Sequence, residues 1–376
     1  MEKQYDNPMR RQIYSIESLV EQIGKDVEKK TRTILSTPEI YSLKEILITG
    51  CGDSYCAALA AEQAFCQLTG LSVRVIPAIE LSRRYPKDKL GKIPGNPLVI
   101  GISNSGRVTR VIEGIMRARR SGALTLAVTA NGSSALGEEA ERNIVLSMPE
   151  FEKAPGIRNY VGSLLALYLF AIRMGEVLGR YTMDTAFAYR RELASWAKLF
   201  THGLREQEEG VFRMAQRFED VTGGEVIAQG NNVASAVFIQ QKMYEAIGIP
   251  CVFGDSENWF HANKFLRDFA HTLTFVYASK WDKGKGRVLE AMKRMDYMGR
   301  EYILVTDDQL SSRHTLYVPS MSCEMFSPIV EFGLPCLLLS YLTELKNETY
   351  SRGFVYPFCD GKGIPGTVES RLEIVD

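Results

Sequence analysis

A chain of 376 residues, 45% hydrophobic and 24% charged, is long enough for two domains that each bury a core, and its composition is that of a soluble globular protein. Its 45 basic residues balance 45 acidic ones, which argues against a nucleic-acid partner, because such partners require a basic face to displace counterions. The longest apolar run, 161–172, is shorter than the roughly 18 residues of a membrane span, and the N-terminus lacks the apolar core of a signal peptide, so a cytoplasmic protein without membrane association is expected.

In chain order, the stretch IYSIESLVEQIGKDVEKKTRTIL (13–35) predicts a mostly helical arm over residues 1–40, packing on the first domain or on a second subunit. Five β-rich runs follow: EILITG (45–50), LSVRVIPA (71–78), PLVIGIS (97–103), LTLAVT (124–129) and NIVLSMP (143–149). Together with the helical stretches between and after them they define a first domain over 41–183. From about 156 to 218 there is no strand signal, and residues 184–220 read as a connecting helix. Strands resume with EVIAQG (225–230), TLTFVYAS (272–279), EYILVT (301–306) and TLYVPS (315–320), giving a second domain over 221–376 that includes the C-terminal tail. Short apolar strands alternating with helices imply an α/β chain whose parallel, doubly wound sheets are covered on both faces. The halves echo one another: ILITGCGDSY is followed about 180 residues later by VIAQGNNVAS, and SNSGRVTRVIEGIMRARR by the weaker DKGKGRVLEAMKRM, so a duplicated domain is expected.

The run PLVIGIS breaks abruptly into SNSGRV. A strand ending at Ser103 and a helix starting near Gly106 would place Ser103, Asn104 and Ser105 at the carboxyl end of a sheet, where ligands of such folds bind. Two readings are open on these residues alone. They cap the next helix, or their hydroxyls and backbone N–H groups cradle an anion with help from the helix N-terminus. The first strand ends in a comparable loop, Cys51, Gly52, Asp53 and Ser54, so Ser54 could converge with Ser103 and Ser105 on one anion. No Walker lysine and no GxGxxG are present, so nucleotide binding is not supported.

In the second half, Lys242 and Glu245 lie three residues apart on a predicted helix and share a face, a spacing that also suits a solvated salt bridge. The four histidines are scattered without ligand spacing, so no metal is expected, and no cofactor. The seven cysteines include no CxxC and sit mostly in apolar runs, as in reduced proteins.

GCGDSYCAA, ISNSG and GIRNYVGSLLAL, in that order and spacing, resemble the sugar isomerase (SIS) domain. The duplicated arrangement over roughly 20–376 is similar to the isomerase half of glucosamine-6-phosphate synthase and to the fructosamine-6-phosphate deglycases. The resemblance implies two tandem SIS domains, each a flavodoxin-like three-layer α/β/α unit, and a small-molecule sugar phosphate as ligand. It places phosphate contacts on Ser103, Asn104 and Ser105, with Cys51, Gly52, Asp53 and Ser54 beside them. The family pattern Ser-x-Ser-Gly-x-Thr has Val108 at the threonine position here, with Thr109 following as a substitute contact. Arg158 and Asn159 stand where the family often has Ala-Ser.

By the same resemblance Glu245 is the base that moves a proton between adjacent sugar carbons, with Lys242 three residues before it and His261 sixteen after it as the ring-opening acid/base. In the family this histidine comes from the neighbouring subunit, which implies a homodimer. The lesser reading of His261 is an interface or capping residue beside Trp259 and Phe260. The family's C-terminal lysine falls on Arg371, with Lys362 as another candidate, and an arginine cannot form an imine. Nothing before residue 40 resembles a glutaminase domain, so glutamine-dependent synthesis is not expected. The expected function is a deglycase that cleaves a ketosamine 6-phosphate. Its alternatives are an aldose–ketose isomerase or aminosugar-phosphate deaminase, and a non-catalytic phosphosugar-binding regulator. The echo DKGKGRV lacks the serines, so one phosphate site per subunit is expected.

Overall fold

The computed structural model describes residues 6–91, 96–359 and 370–375. The chain opens with α1 (Pro8–Tyr14), α2 (Ile16–Thr33) and α3 (Thr37–Ser42). Asn7 starts α1 by accepting from the Arg10 N–H at 2.8 Å. Ser36 and Glu39 form a reciprocal capping box at α3, so two otherwise orphaned N–H groups are satisfied by the chain's own side chains. The first sheet unit then runs β1 (Glu45–Gly50), α4 (Asp53–Thr69), β2 (Ser72–Val75), α5 (Ala78–Arg83), β3 (Leu98–Ile102), α6 (Thr109–Arg120), β4 (Leu124–Thr129), α7 (Ala135–Glu139), β5 (Arg142–Val145) and α8 (Arg158–Val177).

The long α9 (Met183–Arg217) precedes β6 (Gly223–Ile227), α10 (Asn232–Lys242), a π-helical turn over Met243–Ile247, β7 (Cys251–Gly254), α11 (Ser256–His261), β8 (Thr272–Tyr277), α12 (Lys285–Met298), β9 (Ile303–Thr306), β10 (Thr315–Tyr317), α13 (Pro328–Glu331) and α14 (Gly333–Leu345).

Both sheets are parallel and five-stranded, in the orders β2-β1-β3-β4-β5 and β10-β9-β8-β6-β7. The second order is the first one repeated, with β6 in the place of β1 and β8 in the place of β3. The expected duplication and the two-domain α/β architecture are therefore present. β7, the counterpart of β2, is the strand that pattern reading missed: it has four residues directly after Pro250, too few for a period to register. Strand ends also shift. The run expected at 71–78 pairs only over 72–75, and the one at 143–149 only over 142–145.

Strands buried on both faces need helices on both sides, and the apolar runs supply them. In the first sheet Leu47, Val99 and Ala127 pack with Leu81, Val111 and Ile115 of α5 and α6. In the second, Ile227, Val276 and Leu304 pack with Val288, Met295 and Trp259. Each such aliphatic side chain stabilises the fold by roughly 1.5–3 kcal/mol. The second core also contains an ion pair between Glu225 on β6 and Arg300, and Arg300 donates to Thr274 at 3.1 Å. Burial pushes the Glu225 carboxyl up and the Arg300 guanidinium down, and their attraction opposes both shifts. Residues 158–177 and 328–345 are long and apolar enough to cross a membrane by composition, yet 83% and 89% of these windows are buried inside the protein, as core helices are.

The compact units divide the chain differently from the linear domains expected. One unit comprises 18–150, 156–195 and the described part of 353–376, with the first sheet; the other comprises the described part of 1–17, 151–155 and 196–352, with the second. The helical arm is thus split. Its α1 belongs with the second sheet through Arg10–Glu208 at 2.6 Å and Asn7–Ser340 at 3.3 Å. The tail residues 370–375, expected with the second domain, run along α6 of the first. Arg110 donates to the Ser370 hydroxyl and the Arg371 carbonyl, both at 2.6 Å. Arg117 donates to the Val375 carbonyl at 3.2 Å, and the buried Glu113 accepts the Glu373 N–H at 2.5 Å.

Candidate functional site

In a sheet ordered 2-1-3-4-5 the chain leaves β1 and β3 in opposite directions, which opens a crevice at their carboxyl ends. Gly50, the last residue of β1, pairs in register with Ile102, the last of β3, so the loops 51–54 and 103–106 emerge side by side there. The Cys51–Ser54 loop turns sharply because Gly52 takes a φ of +56°, and α4 starts at once with Asp53. The Asp53 carboxylate lies against the segment that leads into α8: a Cβ on Gly156 would come within 2.3 Å of it. Arg158, two residues further on, is buried at the start of α8, and burial lowers its pKa. Asn159 beside it is half-buried. The structure thus gathers the loops after β1 and β3 at one crevice and sets the start of α8 against Asp53.

The Ser103–Ser105 loop does not cap the following helix. Helix α6 starts at Thr109, later than the sequence pattern indicated, and its N-cap Val108 makes no side-chain cap bond. Instead Ser103 and Ser105 shape the loop. The Gly106 N–H donates to the Ser103 hydroxyl at 3.1 Å, and the Arg107 N–H to the Ser105 hydroxyl at 3.3 Å. The Asn104 carbonyl accepts from the Ala130 N–H at 3.0 Å, which ties the loop to the one after β4. Asn104 Oδ1 is buried without a hydrogen-bond partner. The capping reading therefore fails on geometry, and the loop is free to serve as an anion cradle. Thr109 is otherwise engaged: its hydroxyl donates to the Ser370 carbonyl at 3.2 Å. Arg371 is exposed and touches α6 through its backbone carbonyl; Lys362 lies outside the described residues.

A further opening, not visible in the sequence pattern, adjoins this loop. A cavity of about 560 Å³ is lined by Ser105 and Arg107 after β3 and by Asn131, Ser133, Ser134 and Ala135 after β4. The segment TANGSSALG carried the signal, an Asn-Gly turn followed by a serine cap, but such turns are common and nothing in their spacing points to a ligand.

In the second unit Lys242 and Glu245 meet, with Nζ to Oε2 at 2.5 Å. This is no solvated salt bridge. Lys242 is fully buried, with its ammonium 4.8 Å from the centre of the Phe238 ring, whereas the Glu245 side chain keeps 42% of its surface exposed. Lys242 ends α10, and Glu245 sits in the π-helical turn that follows. A π turn swings the backbone off the helical register, and such turns concentrate at functional positions. A carboxylate anchored on one side by a buried cation and open on the other can exchange protons with a substrate while keeping one orientation.

His261 closes α11 and is 73% exposed, with its Nε2 3.2 Å from Glu257 Oε1. Glu257 is shared with Arg287, which holds it bidentately at 2.7 and 3.1 Å and stacks 3.8 Å over the Phe260 ring. Within its own chain, then, His261 faces Glu257.

The second sheet has its own switch point between β6 and β8, and its loops are filled by internal pairs. Gln229 donates to Asp282 at 3.0 Å and accepts from Ser256. Asp307 accepts from the Ser279 hydroxyl and the Lys280 N–H, both at 2.9 Å. Carboxylates there repel a phosphate.

A model of the SIS domain matches residues 39–173. The glutamine–fructose-6-phosphate aminotransferase (isomerizing) of Thermococcus kodakarensis is 25% identical over 349 residues, covering 90% of this chain and 55% of that protein. The chain spans about half the length of the curated relatives it matches. The C-terminal domain of glucosamine-fructose-6-phosphate aminotransferase from Francisella tularensis matches with a TM-score of 0.77 at 17% identity, over 93% of this chain and 99% of that one. Glucosamine-6-phosphate deaminase from Thermotoga maritima matches with a TM-score of 0.62 at 14% identity, over 90% and 95%. These two share the fold.

Proposed function

For a chain that carries a SIS domain at residues 39–173 within a two-domain SIS fold, we propose a phosphosugar-processing enzyme, and more specifically a deglycase acting on a ketosamine 6-phosphate. The observation that carries this reading is the Lys242–Glu245 pair, a half-exposed carboxylate held at 2.5 Å by a buried ammonium.

In an open-chain ketosamine with nitrogen on C1 and a carbonyl at C2, the carbonyl acidifies the C1 hydrogens. Glu245 removes one of them, leaving an enaminol, and returns the proton to C2, which leaves an imine at C1. Water adds to the imine, the amine departs, and a hexose 6-phosphate remains. The carboxylate can serve both carbons because they are adjacent. Lys242 fixes its orientation. Ser103, Asn104 and Ser105 would hold the phosphate as the substrate's handle, with the Cys51–Ser54 loop beside them. His261, given by a partner subunit in a homodimer, would open the sugar ring. The same proton transfer without loss of the amine is an aldose–ketose isomerisation, and the isomerizing aminotransferase among the relatives favours that as the second reading.

The test is incubation of the purified protein with fructosamine 6-phosphates while hexose 6-phosphate release is followed. Glu245→Gln keeps the shape but cannot accept a proton, so turnover should drop at least about 1,000-fold with ligand binding retained. Near-normal turnover by Glu245→Gln would sink the mechanism. Tight binding of sugar phosphates with no turnover of any ketosamine or hexose 6-phosphate would instead mark a non-catalytic binding protein.

A further inference from the structure

The serine loop supplies neutral donors, whereas a sugar phosphate carries close to two negative charges at neutral pH. The charge is met elsewhere in many phosphate sites, by arginine above all, because its planar fork fits two phosphate oxygens at once. Three arginines of α6 near the β3 loop and along the helix are engaged, and the fourth, Arg120, ends the helix away from that loop. Arg110 holds the tail and pairs with Glu113 at 2.9 Å, Arg117 donates to the carbonyls of Leu81 and Tyr85 at 3.0 and 2.7 Å, and Arg119 donates to the Glu139 carbonyl at 3.1 Å. Arg107 differs. It is exposed at the mouth of the 560 Å³ cavity, and among the described residues its guanidinium has no ion-pair or hydrogen-bond partner. Across the opening lies Ser133, exposed, its N–H held by Asn131 Oδ1 at 3.0 Å.

We propose that Arg107 is the charged phosphate ligand of this protein, and that the phosphate sits in the cavity between the β3 and β4 loops, held by the Arg107 guanidinium and the Ser105 and Ser133 hydroxyls. This rests on the phosphosugar reading and deepens it. It moves the anion from the β1–β3 crevice alone toward β4, and it makes the site select phosphorylated over unphosphorylated sugars, since an unpaired guanidinium gains little from a neutral hydroxyl. Because Arg107 is exposed, its contribution is screened by salt.

Titration calorimetry with inorganic phosphate and with fructose 6-phosphate tests the assignment on wild-type protein, Arg107→Gln, Arg107→Lys and Ser133→Ala. Arg107→Gln should weaken both ligands about 10- to 100-fold, the range for a charge-assisted bond. Arg107→Lys should recover part of that loss, and Ser133→Ala should cost less than Arg107→Gln. On a turned-over ketosamine 6-phosphate, Arg107→Gln should raise KM with kcat nearly unchanged. Raising the salt concentration should weaken the wild type more than Arg107→Gln. Wild-type affinity in Arg107→Gln, with the wild type binding phosphate, would overturn the placement of the anion and leave the phosphosugar reading standing. A wild-type protein that binds neither ligand would overturn both.

Discussion

At the scale of single residues, Gly106 decides the shape of the candidate phosphate loop. Its φ of +64° is open to glycine and strained for other residues, and a Cβ there would lie 1.9 Å from Ser134 Oγ. Ser134 cannot retreat freely, because its hydroxyl donates to the Asn131 carbonyl at 2.6 Å and accepts from the Gly137 N–H at 3.3 Å at the start of α7. Gly106→Ala must therefore push the β3 loop away from the β4 loop or break that cap. We expect a loss of about 1–3 kcal/mol in urea unfolding, together with weaker binding of sugar phosphates. Unchanged stability and affinity would contradict this geometry. Lys242 belongs to the same scale. Its burial is invisible in a spacing of three residues, which suits an exposed ion pair equally well, and only packing against Phe238 separates the two.

At the scale of elements, α10 and α13 hold a titratable group in the second core. Glu331, the last residue of α13, is buried; its carboxylate accepts from the Ser235 hydroxyl at 2.5 Å and from Asn232 Nδ2 at 3.0 Å, both on α10. Burial raises its pKa to about 7, with Ser235 and Ser327 pulling it down and Asp307 and Glu324 pushing it up. A carboxyl whose folded pKa is raised supports the fold fully below its unfolded pKa near 4.5, and that support is lost as pH climbs toward 7. Glu331→Gln removes the titration. Its stability relative to wild type should therefore rise between about pH 5 and pH 8, by up to about 3 kcal/mol. Urea midpoints at the two pH values measure this, and a difference that stays constant with pH would refute it. The elements also mark how far sequence reading reaches. The strands β1 and β4 coincide with their apolar runs, since a strand buried on both faces must be apolar throughout. The π turn carrying Glu245 had no such signal: MYEAI suits an α-helix equally well. The candidate site was legible where chemistry fixes residue type, as in SNSG, and at Lys242 and Glu245 only through the family resemblance. It was not legible at Arg107, because a guanidinium without a partner among the described residues leaves no mark in the residue pattern.

At the scale of the whole molecule, two sheets of identical order have diverged in what their loops carry. The first carries the Ser103 and Ser105 hydroxyls and, without a partner among the described residues, the Arg107 guanidinium after its strands; the second has filled the equivalent place with Asp282 and Asp307 and their donors. The second unit carries the Lys242–Glu245 pair instead. His261 then poses the question of assembly. Its ring is 73% exposed and rests on Glu257, an arrangement available to a neighbouring subunit. If the active centre of a homodimer combines Glu245 of one subunit with His261 of the other, Glu245→Gln and His261→Asn homodimers are both inactive. A hybrid of the two would pair the intact glutamate of one chain with the intact histidine of the other at one of its two sites. Unfolding an equal mixture and refolding it makes half of the dimers hybrids, so about one quarter of wild-type activity should return. If both residues came from the same chain, every site in every dimer would carry a defect and no activity would appear. The recovered fraction, measured as hexose 6-phosphate release after reassortment, decides between the two arrangements.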